Sequence, residues 1–260
     1  SKVQAQADYP NKPIRMIVGF PAGGSTDIVG RIVAQKLGER LGQSIIVDNR
    51  GGAGGTIGAD LASKASPDGY NISIGTTSTH AVAAGAYSKL PYDPIKSFAP
   101  ISLVAITPYL LVVNPKVPAN NLAELIALAK KQPDKMNYAS AGNGSTTHLA
   151  MEMLKSQSGI DIVHVPYKGI PQAVPAALAG EVQLTFSGVA SSQVHIKAGK
   201  LKALAVTGKK RSEVLPNVPT VAETGMSGFD YEVWFLIAAP GKTPNAIVNR
   251  LSTEVRRALA

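Results

Sequence analysis

The residues best suited to chemistry lie in a glycine-rich stretch, 20–27, which follows an apolar run and opens a helical pattern. Adjacent glycines let the backbone turn tightly and leave its N–H groups unobstructed. A helix that begins here, capped by Ser25, Thr26 or Asp27, offers N–H donors and a partial positive charge to an anion. An ordinary capped turn is the alternative interpretation. The candidate ligand-binding residues are Phe20, Pro21, Ala22, Gly23, Gly24, Thr26 and Asp27.

A carboxylate fits this stretch better than a phosphate. The Gly-Lys-Ser/Thr ending of a nucleotide P-loop is missing. Asp27 would repel a dianionic phosphate if it faced the ligand, whereas it could accept from a ligand hydroxyl or hold an ordered water.

A second stretch, 140–148, repeats the passage from a strand through glycines and hydroxyls into a helix. Two such half-sites on separate lobes would hold the two ends of one ligand. Polar residues that end other predicted strands are further candidates, because ligands of α/β sheets bind at the carboxyl ends of strands. Lys168 either neutralises a carboxylate or is simply solvated. The hydroxyls of 76–79 bind ligand, cap a helix or do both. These candidates are Ser140, Gly142, Asn143, Gly144, Ser145, Thr146, His148, Tyr167, Lys168, Phe186, Ser187, Thr76, Thr77, Ser78 and His80.

Patterns typical of enzymes are weak in this sequence. No G-x-S-x-G nucleophile elbow occurs, and the four histidines show no metal-binding spacing, so no catalytic residue and no metal is expected. The glycines from Gly52 to Gly58 are spaced G-x-G-x-x-x-G rather than as a dinucleotide fingerprint, which favours a packing turn and no cofactor. A hydrolase using Ser145 with His148, or a nucleotide-dependent enzyme on the Gly52 cluster, is the alternative function.

Composition narrows the class of protein and its expected partners. The 260 residues are 45% hydrophobic and 17% charged, enough apolar material for a substantial core. The net charge of +9 is spread thinly, and its densest run, Lys209-Lys210-Arg211, has no interleaved aromatics, so nucleic acid is not an expected partner. A diffuse positive field would instead attract an anionic solute.

Apolar β-branched runs alternate with helical patterns, which predicts an α/β fold with a mixed, mostly parallel sheet in each of two lobes. We expect the first lobe to comprise residues 1–105 and 233–260, and the second lobe residues 106–232. The hinge crossings should fall near 103–109 and 228–236. In the first crossing, Thr107-Pro108 separates two predicted strands, 101–105 and 109–114. In the second, Trp234 and Phe235 either contact an apolar part of the ligand or pack the hinge.

Both ends of the chain carry expectations. Ser1–Asp8 contains Ala5-Gln6-Ala7, which matches the end of a cleaved signal peptide and predicts an exported protein, and an unstructured N-terminus is the alternative interpretation. The helical pattern at the other end has no stop signal before Ala260, so we expect further C-terminal residues in the native protein.

Several sequence blocks resemble the solute receptors of tripartite tricarboxylate transporters, the Bug proteins. The blocks occur in the family's order along nearly the whole chain. They are Tyr9-Pro10-x-Lys12-Pro13-Ile14-Arg15, Val18-x-Phe20-Pro21-Ala22-Gly23-Gly24-x-x-Asp27, Val47-x-Asn49-Arg50-x-Gly52-Ala53-Gly54-Gly55, Pro67-Asp68-Gly69-Tyr70, Tyr138-Ala139-Ser140-x-Gly142-x-Gly144-Ser145-x-x-His148-Leu149, Val165-Pro166-Tyr167-Lys168-Gly169 and Leu215-Pro216-x-Val218-Pro219-Thr220-x-x-Glu223.

This resemblance implies a periplasmic, Venus flytrap, type II-like binding protein that is not an enzyme. It implies that the first glycine loop grips a carboxylate through backbone groups and waters, with the 140–148 loop contributing from the other lobe. The implied ligand is an organic acid, a dicarboxylate, an amino acid or an aromatic acid. The implied partners are the inner-membrane permease subunits of a tripartite transporter, and a monomer is expected. A receptor that signals through a partner is the alternative to transport.

Overall fold

The computed structural model describes residues 9–260, and the chain divides into two compact units. One unit comprises the chain up to Ala105 together with Trp234–Ala260, and the other comprises Ile106–Val233. The signal-peptide motif expected in residues 1–8 lies outside the described residues.

The first unit has a sheet in the order β2-β1-β3-β9. Strand β1 pairs in parallel with β2 and β3, while β9 is antiparallel to β3. Because β1 and β3 are parallel, the loops that follow them leave the same edge of the sheet. The elements of this unit are β1 (Ile14–Val18), α1 (Ser25–Leu41), β2 (Ile45–Asn49), α2 (Thr56–Ser63), β3 (Asn71–Thr76), α3 (Ala83–Ala86), the start of β4 (Phe98–Val113), most of β9 (Glu232–Pro240) and α8 (Asn245–Leu259).

Helix α1 positions the first glycine loop. It begins immediately after that loop, ends at Gly42 in the left-handed conformation, and packs its inner face with Val33 and Leu37 buried. Glycine adopts this conformation without the steric penalty of a Cβ, which suits Gly42 to the C-cap position.

The second unit has a sheet in the order β6-β5-β7-β4, with β8 also paired to β4. Strand β5 is parallel to β6 and β7, and β4 is antiparallel to β7 and β8. Asn121 caps α4 by accepting from the N–H of Glu124 at 2.8 Å, as its capping-box pattern predicts. The other elements are α4 (Leu122–Lys131), β5 (Asn137–Ser140), α5 (Thr146–Ser158), β6 (Val163–Pro166), α6 (Ile170–Ala179), β7 (Leu184–Gly188), α7 (Val189–Lys197) and β8 (Lys202–Val206).

One feature of the strand prediction is wrong. The runs 101–105 and 109–114 form the single strand β4, which continues through Thr107-Pro108. The proline removes one backbone donor, but its φ is compatible with extended chain. The next N–H, that of Tyr109, donates to Oγ1 of Thr207 at 2.8 Å, so pairing continues past the proline through a side chain.

Candidate functional site

The first candidate half-site is the loop between β1 and α1. The N-cap of α1 is Gly24, with φ −82° and ψ 168°, and no side chain among the described residues caps it. The expectation that Ser25, Thr26 or Asp27 occupies the cap position is therefore wrong. Gly23 has φ +84°, and a Cβ added there would meet nothing within 4 Å. The backbone at Gly23 therefore faces open space at the start of a 17-residue helix.

Asp27 is buried and holds this loop in shape. Its Oδ2 accepts from the N–H of Gly23 at 2.9 Å and from Nε of Arg31 at 3.0 Å, while its Oδ1 accepts from Nδ2 of Asn49 at 3.0 Å. Burial opposes ionisation, but these hydrogen bonds outweigh it and hold the pKa of Asp27 below its ordinary value. Both carboxylate oxygens are thus engaged within the protein, which assigns Asp27 a positioning role in the loop.

Asn49 at the end of β2 links the loop to the sheet. Its Nδ2 also donates to the carbonyl oxygen of Phe20 at 2.9 Å, and its Oδ1 accepts from Nη2 of Arg31 at 3.3 Å. We did not select Arg31 and Asn49 as site residues from the sequence. Arg31 lies four residues after Asp27, so their i, i+4 spacing was an available signal for an ion pair on α1.

The glycine cluster after β2 packs against this loop. A Cβ at Gly58 would lie 2.5 Å from Cα of Gly19, and one at Gly51 would lie 2.9 Å from Cδ of Pro21. A Cβ at Gly55, whose φ is +96°, would lie 2.8 Å from the ring of Phe20. These approaches confirm that the cluster is a tight packing turn, since only glycine fits where the backbones meet so closely.

The hydroxyl-rich stretch after β3 is mostly occupied with itself. Thr76 and Thr79 exchange backbone and side-chain hydrogen bonds, and Oγ1 of Thr77 accepts from the N–H of Trp234 at 2.9 Å. Oγ1 of Thr79 bonds to Nδ1 of His80 at 2.8 Å, and burial lowers the pKa of His80 to about 4. Ser78, at the start of a π-helical turn over Ser78–Val82, is buried. Among these contacts, the bond from the N–H of Thr79 to Oγ1 of Thr76 resembles a helix cap, whereas those of Thr77 and His80 do not. That this stretch contacts a ligand stays a prediction.

The second candidate half-site is the loop between β5 and α5. Ser145 caps α5 by accepting from the N–H of His148 at 3.3 Å, and the N–H of Ser145 donates to the carbonyl of Gly142 at 3.1 Å. Oγ1 of Thr146 bonds to the hydroxyl of Tyr109 at 2.6 Å. Asn143 is exposed and Gly144 is partly exposed, so the tip of the loop is open to solvent. Ser145 is fully buried, and its hydroxyl serves as the cap of α5.

Three stacked rings lie beside this loop and contact it. His164 on β6 stacks with Tyr138 on β5 at 4.8 Å and with His148 on α5 at 4.2 Å between ring centroids. Nε2 of His164 lies 2.6 Å from Oγ of Ser140. We did not select Tyr138 or His164 from the sequence. Strand alternation places Tyr138 on the same face as Ser140, which was the available signal.

The remaining candidates of the second unit differ in exposure. Lys168 is exposed and Tyr167 is partly exposed, so both are open to a ligand. Phe186 and Ser187 are fully buried. Phe186 is one of the largest core side chains, and Ser187 accepts from the hydroxyl of Ser192 at 2.8 Å. Neither side chain presents surface to a ligand in this structure.

Among residues 9–260, no group of three or more His, Asp or Glu side chains is gathered as a metal site. None of the helices formed by the same residues has the length and apolarity needed to cross a membrane.

Comparison with known proteins identifies the family. Residues 29–260 match the model of the tripartite tricarboxylate transporter family receptors. BugT of Bordetella pertussis is 38% identical over 252 residues, which cover 96% of this chain and 77% of BugT.

Solved structures agree with that match. The periplasmic binding protein BugD superposes with a TM-score of 0.93 at 38% identity, over 97% of this chain and 84% of BugD. A Rhodopseudomonas palustris protein with adipate gives 0.93 at 38%, over 95% and 83% of the two chains. MatC of the same species with bound malate gives 0.92 at 33%, over 96% and 85%. The predicted fold class is thereby confirmed, and the chain belongs to the tripartite tricarboxylate transporter receptor family, the Bug proteins.

Proposed function

We propose that this protein is a periplasmic solute-binding protein that captures a small organic carboxylate without turning it over. In this proposal it acts as a monomer and delivers the ligand to the inner-membrane permease subunits of a tripartite transporter. Its hinge crossings lie near 103–109 and 228–236.

The observation that carries the proposal is the loop that precedes α1. Gly23 presents backbone to open space, and the next residue, Gly24, is the N-cap of α1. Such a terminus favours negative charge, because several N–H groups point away from the helix and its dipole adds to them. Asp27 fixes the loop without occupying it, since its oxygens accept from within the unit. An anion can therefore approach the backbone closely.

The ligand class follows from the relatives. One related structure contains adipate and another contains malate. Both are four- to six-carbon dicarboxylic acids, and only malate carries a hydroxyl. The net charge of +9 favours capture of such dianions at low ionic strength. That the two half-sites hold the two ends of one ligand stays a prediction.

A thermal-shift panel tests this function. Protein freed of ligand by unfolding and refolding is melted with malate, adipate, a monocarboxylate, NAD and ATP. A ligand that binds only the folded state raises the free energy of unfolding by mass action, by about 2.7 kcal/mol at a hundredfold excess over Kd, and the melting temperature rises with it. We expect a shift with at least one carboxylate. A shift with NAD or ATP and none with any carboxylate would contradict the proposal.

A further inference from the structure

The ring stack of the second unit is made by three different elements. The imidazole of His164 is nearly parallel to the ring of Tyr138, at 19°, and to that of His148, at 12°. Two near-parallel rings at 4.8 and 4.2 Å must lie on opposite faces of His164. The stack therefore connects β5, β6 and the first turn of α5 next to the loop between β5 and α5.

Both imidazoles also reach the glycines of that loop. Nδ1 of His148 accepts from the N–H of Gly144 at 3.3 Å. Nε2 of His164 bonds to Oγ of Ser140, and the same oxygen accepts from the N–H of Gly142 at 3.0 Å. Gly142 and Gly144 have φ of +115° and +69°, which glycine adopts readily, and the side-chain hydrogen bonds help to fix the direction of these peptides.

We propose that His148 is a positioning residue for carboxylate binding, holding the Gly144 peptide through a neutral Nδ1 while the stack on His164 fixes the plane of its ring. The inference rests on the proposed function and adds a specific residue and a pH dependence to it. Only an unprotonated nitrogen can accept, because a protonated Nδ1 would oppose one N–H to another. Protonation of His148 should therefore release Gly144 and weaken binding.

The charges around the stack set the pH at which His148 becomes protonated and releases Gly144. Burial lowers the pKa of His148, Glu152 one turn further along α5 raises it, and Lys155 lowers it, with a net downward shift. Burial and the neighbouring His148 lower the pKa of His164 to about 4. Tyr138 donates to Glu152 at 2.7 Å, and Lys155 donates to the same oxygen at 3.0 Å, so this acid is partly neutralised. Both imidazoles are thus neutral at neutral pH and become charged only in acid.

Two substitutions at one position separate the acceptor from the ring. In His148→Asn, the amide oxygen takes the place of Nδ1 but does not titrate. In His148→Phe, the ring remains but the acceptor is lost. Calorimetric affinities for malate and adipate are measured from about pH 7 to about pH 4.5, a range that brackets the ordinary histidine pKa. Ligand protonation contributes equally to every protein, so differences between profiles report the protein.

We expect His148→Asn to bind within about threefold of the unaltered protein at neutral pH and to lose less affinity in acid. His148→Phe should bind about fivefold more weakly or worse at neutral pH, the effect of one hydrogen bond. His195→Phe, on α7 of the same unit, is the matched control and should leave the profile unchanged. Equal affinity in His148→Phe, or an unchanged acid limb in His148→Asn, would overturn the inference. If the unaltered protein binds neither acid, it is the proposed function that fails.

A second measurement needs neither a variant nor a ligand. Two-bond ¹H–¹⁵N spectra of the ¹⁵N-labelled protein report which nitrogen of each imidazole carries the proton. We expect Nδ1 of His148 to be unprotonated at neutral pH and to gain a proton below the ordinary histidine range. A proton on Nδ1 at neutral pH would overturn the inference whether or not the variants fold.

Discussion

Replacing Asp27 by Asn tests how the first glycine loop is held. The substitution preserves shape but removes the charge. Hydrogen bonds to a charged group contribute about 1.5–3 kcal/mol each, against about 0.5–1.5 kcal/mol for neutral ones. In the variant, the new amide group would oppose the donor of Asn49, so one bond is lost. The bond from Gly23 weakens, and the one from Arg31 contributes little because that side chain is 54% exposed. We expect a loss of about 2–3 kcal/mol in the free energy of unfolding.

Urea denaturation followed by calorimetry with malate and adipate would measure both consequences. A domain with ordinary stability of about 5–15 kcal/mol stays folded after this loss, so binding can be compared. We expect at least about tenfold weaker binding, because the weakened bond holds the Gly23 peptide less firmly. Glu254→Gln is the control. It removes an acid that pairs with Arg40 at the other end of α1, and the affinity of this variant for the ligand should not change. Unaltered stability and affinity in the Asp27 variant would refute the positioning role of this carboxylate.

Other perturbations give separate expectations. Gly23→Ala and Gly159→Ala both place a Cβ in open space at positive φ, so each should lose about 1–2 kcal/mol of stability, but only the first should lose affinity in calorimetry. Gly58→Ala forces a Cβ against backbone and should cost about 1–3 kcal/mol in urea denaturation, whereas Gly85→Ala meets no atom and should not destabilise. The pKa of Asp27 is lower in the folded state than in the unfolded state. Its contribution to the free energy of unfolding is therefore complete above the unfolded pKa of about 3.9 and is lost as the pH falls through the folded pKa. We expect Asp27→Asn to flatten the acid side of a plot of unfolding free energy against pH.

The sequence predicted the half-site loops because their signals are local. Glycines beside hydroxyls, after an apolar run and before a helical period, are read within a single stretch of chain. The cap at Gly42 and the capping box at Asn121 were predictable for the same reason.

Residues that act through tertiary contacts were harder to predict. Asn49 reaches the loop only because β2 pairs beside β1, and His164 reaches Ser140 only because β6 pairs beside β5. Sequence reasoning also overestimated Phe186, since its place near a strand end does not reveal that the core covers it completely. Likewise, the proline of β4 suggested a break, but Thr207 supplied the acceptor that lets the strand continue.

The most direct test of the central claim is calorimetric titration of the refolded, ligand-free protein with malate and adipate beside their dimethyl esters. The esters preserve the carbon chain and remove the charge. We predict saturable one-to-one binding of at least one free acid and none of its ester, because a helix N-terminus recognises the anion. Equal binding of acid and ester, or heat released only with a nucleotide, would contradict the carboxylate site.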